Sequence, residues 1–253
     1  MIVLRVVHTV FAGLTILFAT VLSAALIGIA SESAAADKIL RLWARLFLAL
    51  AGARVIFKQA APLDPTRSYI FVSNHTSNLD VPAIIFVSPE PLRFIAKQEL
   101  TRIPLFGWAA RRMGHVFIDR RDSHGAAKAI RRRIERGLYG VGLFFFAEGT
   151  RSTGEEMLPF KKGAAITALE TALDCVPIAV AGARDVMRPK GLGVFRPGPV
   201  AVVFGAPIPV AGHSLERRDE LVAAQRAAVE SALVEARALV AAAKVRERAG
   251  RDT

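Results

Sequence analysis

One cysteine, Cys175, is all that 253 residues contain. That count excludes an internal disulfide framework and a cysteine-built metal site, and it fits a reducing compartment. No serine or cysteine stands in a nucleophile-elbow pattern, so a nucleophile would have to arrive with the substrate. Internal repeats and low-complexity linkers are lacking too. Acidic residues are scarce, 22 against 34 lysines and arginines, which leaves a formal charge of +12. The excess implies an anionic partner: a phospholipid surface, a phosphorylated substrate or nucleic acid. Nucleic acid is the poorest of these, because the basic residues are not interleaved with aromatics and no nucleic-acid motif occurs.

What the chain does have is apolar surface, 53% of its residues. Much of it lies at the start, where Thr9 to Ala30 carries no charge. At about 1.5 Å per residue such a run spans roughly 30 Å of hydrocarbon. A cleaved leader is the alternative, with small residues at Ser33-Ala34-Ala35-Ala36. A second helix is expected from Asp37, as its cap, to about Ala51. Ile39, Leu42, Trp43, Leu46, Phe47 and Leu50 form its apolar stripe, and Lys38, Arg41 and Arg45 share another face. That pairing suits an anionic bilayer interface, although a core helix with solvated arginines reads the same way. Residues 1–52 are thus expected to form a membrane-associated two-helix element.

From residue 53 to 253 the pattern is α/β. Short β-rich runs at Arg54–Phe57, Tyr69–Val72, Leu92–Ala96, His115–Ile118, Gly142–Phe146, Val176–Ala181 and Val200–Phe204 alternate with helical stretches. The latter are expected at Val81–Ser88, Glu99–Arg112, Ser123–Arg136 and Lys161–Ala172. This predicts a mainly parallel central sheet flanked by helices. A long Ala-rich helix, capped by Ser214, is expected to close the chain.

Three stretches carry candidate chemistry. Asn74-His75-Thr76-Ser77-Asn78-Leu79-Asp80 follows an apolar run and sets an imidazole five residues from a carboxylate. Histidine accepts a proton near neutral pH, and a carboxylate on its far nitrogen fixes the tautomer. Lys97 and Arg120 each close an apolar run, where strand ends in a parallel sheet face the ligand crevice; pairing with Glu99 and Asp119 is the plainer reading of both. Glu148-Gly149-Thr150-Arg151 follows three phenylalanines. Its glycine lets backbone amides approach an anion, and its guanidinium can grip phosphate in a bidentate manner. Lys161 and Lys162 add cations nearby, and Lys128, Arg132 and Arg136 form a basic stripe on one helix.

In order and spacing these pieces resemble the lysophospholipid acyltransferase family, in particular its 1-acyl-sn-glycerol-3-phosphate acyltransferases. The family's N-H-x-x-x-x-D motif stands at Asn74–Asp80, its G-x-x-F-I-D-R motif ends at Arg120, its E-G-T-R-S motif is Glu148–Ser152 and its V-P-I motif is Val176–Ile178. The likeness covers roughly residues 55 to 205. Ala147 departs from the proline that many members have there. The resemblance implies transfer of an acyl chain from acyl-CoA or acyl carrier protein to the sn-2 hydroxyl of lysophosphatidic acid, without metal or cofactor. It implies His75 and Asp80 as the catalytic dyad, and Lys97, Arg120, Glu148, Gly149, Thr150 and Arg151 as the site for the acceptor's phosphate and glycerol. It also implies a bilayer partner and a place on the cytoplasmic face of a bacterial inner membrane. Acylation of another lyso-lipid, such as a lyso-ornithine lipid, and non-catalytic binding of anionic lipid are the competing readings.

Overall fold

The computed structural model describes residues 2–119, 121–138, 140–154, 156–188 and 195–249, with side chains from residue 9 onward except that of 123. Two helices come first, α1 (Ile2–Ala30) and α2 (Ala34–Ala51). Within α1, Thr9–Ala30 is long and apolar enough to cross a membrane, and only 17% of that stretch is buried. Phe11, Leu14, Leu17, Phe18 and Ile29 are each more than 60% exposed. The cap of α2 is Ser33 rather than Asp37: its hydroxyl accepts the Ala36 N–H at 3.3 Å. Asp37 sits in the first turn, where a negative charge suits the helix dipole.

A seven-stranded sheet follows. Its strands are β1 (Ala53–Gln59), β2 (Ile70–Ser73), β3 (Leu92–Lys97), β4 (Val116–Ile118), β5 (Gly142–Phe146), β6 (Cys175–Ala181) and β7 (Gly198–Phe204), in the order β1-β7-β6-β2-β5-β3-β4. Every neighbouring pair is parallel except β6 with β7. The described part of the link between those two holds only the short α7 (Ala183–Val186), not a crossover helix, and β7 returns antiparallel. The mainly parallel, helix-flanked sheet expected from the sequence is the observed one. Strand alternation sorts its core: Ile70, Val72, Leu143 and Phe145 face one side, Phe71 and Phe144 the other. The first side is covered by α5 (Ser123–Glu135), α6 (Gly163–Thr171) and α8 (Arg218–Ala249), the second by α2 and α3 (Asp80–Val87).

Two helical expectations need correction. The stretch from Glu99 to Arg112 is not one helix but a 3-10 turn, Gln98–Arg102, followed by α4 (Phe106–Arg112). Pro104 forces the break, because it disfavours helical backbone at Ile103 and supplies no N–H. The last helix begins at Arg218, and Ser214 instead accepts the Arg217 N–H in the turn before it.

Charges fasten the helix pair to the sheet. Arg93, 1% exposed, donates to Asp37 at 2.8 and 3.3 Å, and Glu32 lies 3.6 Å from its Nε. Arg133 on α5 donates to Glu32 as well. Both arginines are buried, whereas Glu32 is exposed, so these pairs serve mainly to fix one docking geometry. Meanwhile α4 packs on α1: a Cβ at Gly28 would fall 1.8 Å from the Trp108 ring. The Gly28 carbonyl accepts from Arg112 Nε at 3.1 Å.

Glu90, in the turn before β3, is buried, and neither carboxylate oxygen has a hydrogen-bond partner among the described residues. Burial, then the charge of Asp64, pushes its pKa up to about 7. The unfolded carboxyl releases its proton near 4.5, so between those values the folded chain holds the extra proton. Stability therefore falls as pH rises through this window, and the cost is complete above it. Glu90→Gln is expected to raise unfolding stability by about 1–3 kcal/mol at pH 8 and to change little at pH 4. Denaturant titrations at the two pH values check this.

Candidate active site

The connections leaving β2 and β5 run to opposite faces, α3 to one and α6 to the other. In an open parallel sheet such a switch opens a crevice at the carboxyl ends of the two strands. The strands are adjacent, with Ser73 opposite Phe146. The loops that follow them, Asn74–Leu79 and Ala147–Arg151, therefore meet at the crevice.

The first loop is tightly braced. Asn74 extends the sheet with its side chain, accepting the Val180 N–H at 2.9 Å and donating to the Val180 carbonyl at 3.0 Å. Ser77 Oγ donates to the Met187 carbonyl at 2.7 Å. Asp80, fully buried at the start of α3, turns back into the loop. Its Oδ2 accepts the Thr76 and Ser77 amides at 2.6 and 2.8 Å and meets His75 Nδ1 at 2.9 Å. With two amides and the imidazole on one carboxylate oxygen, Nδ1 is the nitrogen that carries the proton and Nε2 is the basic one. The ring also stacks on Phe146, with centroids 3.8 Å apart and planes 17° apart. Nothing in the residue pattern singled out Phe146, although its place at the end of β5, opposite Ser73, predicts the contact.

The second loop supports the first. Glu148 is 2% exposed, and both oxygens are committed: Oε1 accepts the His75 N–H at 2.7 Å and Oε2 the Leu158 N–H at 2.8 Å. Expected at the acceptor's phosphate and glycerol site, the Glu148 carboxylate is here engaged with backbone on both oxygens. Burial holds its pKa above the usual carboxylate range, opposed by those two amides. Gly149 makes the turn at φ +74°, a backbone that favours glycine. Thr150 is exposed beside it. Arg151 Nη1 donates to Asn78 Oδ1 at 2.8 Å, tying the two loops together. Arg184, which the sequence did not flag, braces the segment beyond by donating to the carbonyls of Ser152, Thr153 and Gly154.

Of the remaining cations, Lys97 pairs with Glu99 at 2.9 Å. Asp119 is engaged by Arg121 at 3.1 Å, and Arg120 lies outside the described residues. Lys162 pairs with Asp219 at 2.8 Å. Lys128, Arg132 and Arg136 are exposed, as a solvated stripe on α5 requires.

A cavity of about 260 Å³ opens at the dyad. His75, Asn78, Lys97 and Phe146 line one part of it. Thr20, Ser23, Ala24 and Ile27 of α1, Trp43 of α2, and Ala109 and Ala110 of α4 line another. A proton-accepting imidazole thus stands at the end of an apolar chamber walled by the helix pair. Arg151 is not one of the lining residues; its guanidinium donates to Asn78, which is.

A family model described as Acyltransferase matches residues 54–181, from β1 to the end of β6. The chain belongs to the acyltransferase family. This acyltransferase is 32% identical over 199 residues to mouse 1-acyl-sn-glycerol-3-phosphate acyltransferase alpha, covering 78% of its own length and 70% of the mouse protein. It is 36% identical over 139 residues to a chloroplastic 1-acyl-sn-glycerol-3-phosphate acyltransferase of Brassica napus, 55% of this chain and 40% of that one. The chain spans about half or less of the plant and algal relatives it matches. Among solved structures it resembles the 1-acyl-sn-glycerophosphate acyltransferase PlsC of Thermotoga maritima, at 27% identity and a TM-score of 0.71 over 90% of this chain and 96% of that one.

Proposed function

We propose that this acyltransferase moves an acyl group from an acyl thioester to the sn-2 hydroxyl of lysophosphatidic acid, giving phosphatidic acid. The observation that carries the reading is the His75–Asp80 pair at the mouth of an apolar chamber, with Arg151 held one side chain away. The relatives' names supply the acceptor. His75 Nε2 takes the hydroxyl proton as the oxygen attacks the thioester carbonyl. Asp80 holds the ring and offsets its positive charge. When the C–S bond breaks, the thiolate leaves and takes the proton back from His75; its conjugate thiol has a pKa of about 8.5, so it is a competent leaving group. The Thr76, Ser77 and Gly149 amides are already bonded to Asp80 and to the Phe146 carbonyl. The Asn78 amide is the loop donor that meets the developing oxyanion.

Acyl-CoA and acyl carrier protein both present the thioester this chemistry requires, and neither metal nor cofactor has a part in it. Lys97 and Arg151 sit where the acceptor's phosphate enters. Arg151→Lys keeps the charge but loses the planar fork, so the KM for lysophosphatidic acid is expected to rise about tenfold with kcat less affected. An unchanged KM moves the phosphate site elsewhere.

The bilayer is the second partner. The exposed apolar face of α1 continues into Leu42 and Leu46 of α2 and into Ile103, Phe106 and Trp108 around α4, all at least 38% exposed. With Arg45, Arg102, Arg111 and Arg112 at its border, the patch fits an anionic leaflet. Acyl thioesters are made in the cytoplasm, which supports the cytoplasmic face as the side of the catalytic domain. The deciding experiment offers vesicle-bound enzyme a panel of lyso-lipids with acyl-CoA and with acyl carrier protein thioesters. Phosphatidic acid should be the main product. Preferential acylation of another lyso-lipid replaces the acceptor, and vesicle binding without any transfer supports the non-catalytic reading.

A further inference from the structure

A second cavity, of about 360 Å³, shares no lining residue with the dyad chamber. Asn74 and Thr76 of the dyad loop and Ser152, just past Arg151, form one side of it. Arg184 of α7 forms another, and Arg237 and Lys244 of α8 a third. One carboxylate, Asp185, stands against those three cations, and it pairs with Lys244 at 2.6 Å. Both side chains of that pair are more than 40% exposed, so it contributes little and Lys244 can be shared with a ligand. Arg184 is different. It is part-buried, and among the described residues it bonds only to neutral oxygens: the carbonyls of Ser152, Thr153 and Gly154 and the Ser152 hydroxyl. Its buried Nε has no partner.

A cation held partly out of water, with no carboxylate bonded to it, favours an anion in the space beside it. The cavity's position says which anion. Thr76 follows His75 directly, with Cα atoms about 3.8 Å apart, so the cavity adjoins the catalytic base. Its α8 wall covers the sheet face opposite α2, whereas the exposed apolar surface belongs to α1, α2 and α4. Acceptor and product keep their acyl chains in the leaflet, and the thioester donor is the water-borne reactant. Acyl-CoA and acyl carrier protein both hold the thioester on a pantetheine arm whose other end is a phosphate.

We propose that this cavity binds the phosphate of the donor's phosphopantetheine arm, with Arg237 and Lys244 as its ligands and Arg184 as a fixed third charge. The proposal rests on the acyl-transfer reading and deepens it. The acceptor's phosphate belongs with Lys97 and Arg151, and the donor's lies on the other flank of the dyad loop, where Thr76 rather than His75 forms the wall. Two separate anion sites let both substrates reach one imidazole without competing for the same cations.

The test gives the full-length chain one acyl group on four donors, with lysophosphatidic acid in anionic vesicles: acyl-CoA, the carrier-protein thioester, acyl-phosphopantetheine and acyl-pantetheine. The last lacks the phosphate, and its kcat/KM is expected to be about tenfold below that of acyl-phosphopantetheine, the share of a charge-assisted contact. Arg237→Glu should raise the donor KM about tenfold for the three phosphate-bearing thioesters and leave the acceptor KM within about twofold. Its rate with acyl-pantetheine should match the parent's, which also shows that the variant is folded. Lys244→Ala should act in the same direction. Equal use of acyl-phosphopantetheine and acyl-pantetheine overturns the proposal while leaving acyl transfer intact. So does an unaltered donor KM in both variants, or a rise in the acceptor KM instead. Calorimetry with CoA alone separates this site from the acyl-transfer reading. If no donor is turned over, that reading falls; CoA binding that Arg237→Glu weakens still supports the site, and no CoA binding removes it too.

Discussion

Replacing His75 with alanine is expected to lower kcat for acyl transfer by about 10²–10⁴, the usual share of a positioned general base. The size follows from the geometry. The imidazole is held from below by the Phe146 ring, from its Nδ1 side by Asp80 and through its own peptide N–H by Glu148. Each contact removes a freedom the ring would otherwise have, and the order is spent on a single outward-facing nitrogen. No neighbouring side chain can substitute: the other described group on the ring is a carboxylate already occupied by two amides. Binding of both substrates should persist, because the rest of the chamber wall and Arg151 are untouched. The loss is therefore expected in kcat, with KM values within a few-fold of the parent. Steady-state kinetics with varied acceptor and donor separate the two. A variant that retains normal kcat would remove His75 from the chemistry.

Glu148→Gln is the second large effect, and it distinguishes a structural strut from a substrate ligand. The carboxylate accepts one backbone N–H on each oxygen inside a nearly sealed pocket. An amide of the same shape keeps one acceptor and turns an NH₂ group toward the other backbone N–H. One hydrogen bond is lost and two donors are forced together, at a cost of about 2–4 kcal/mol. Because one of the two amides belongs to His75, the base is displaced as well, and even a 1 Å shift can cost about 10²-fold in rate. The expected pattern is a lowered Tm and a lowered kcat, with the acceptor KM within about twofold. Thermal unfolding beside steady-state kinetics reads all three. An unchanged Tm with a raised acceptor KM would mean that this carboxylate faces the substrate.

Much of this arrangement could be read from the residues before any fold was known, because strand periodicity and strand ends are local signals. Seven apolar runs became seven strands, and the dyad and the arginine turn fell at two of their carboxyl ends. What stayed hidden depends on which way a side chain turns once the sheet is built. Glu148 reads as a ligand beside Gly149 and Arg151, yet it faces inward because two amides need an acceptor. Arg93 sits between Leu92 and Phe94 in a strand otherwise read as apolar, and its partners Glu32 and Asp37 are more than fifty residues away. Asp37 looked like a helix cap for the same reason: its pull toward Arg93 is invisible in sequence. His115 shows the same limit, since the bond its ring accepts from the Phe94 amide depends on the adjacent strand and not on its neighbours in sequence.

The account turns on direct attack by the acceptor's hydroxyl, activated by one imidazole, and single-turnover thiol release tests it most directly. With enzyme in excess over acyl-CoA or acyl carrier protein thioester and no acceptor present, thiol should appear only at the rate of slow hydrolysis. Adding lysophosphatidic acid should then release one thiol per phosphatidic acid formed, and His75→Ala should suppress that release. A burst of one thiol per enzyme before any acceptor is added, or undiminished release by the alanine variant, would contradict it.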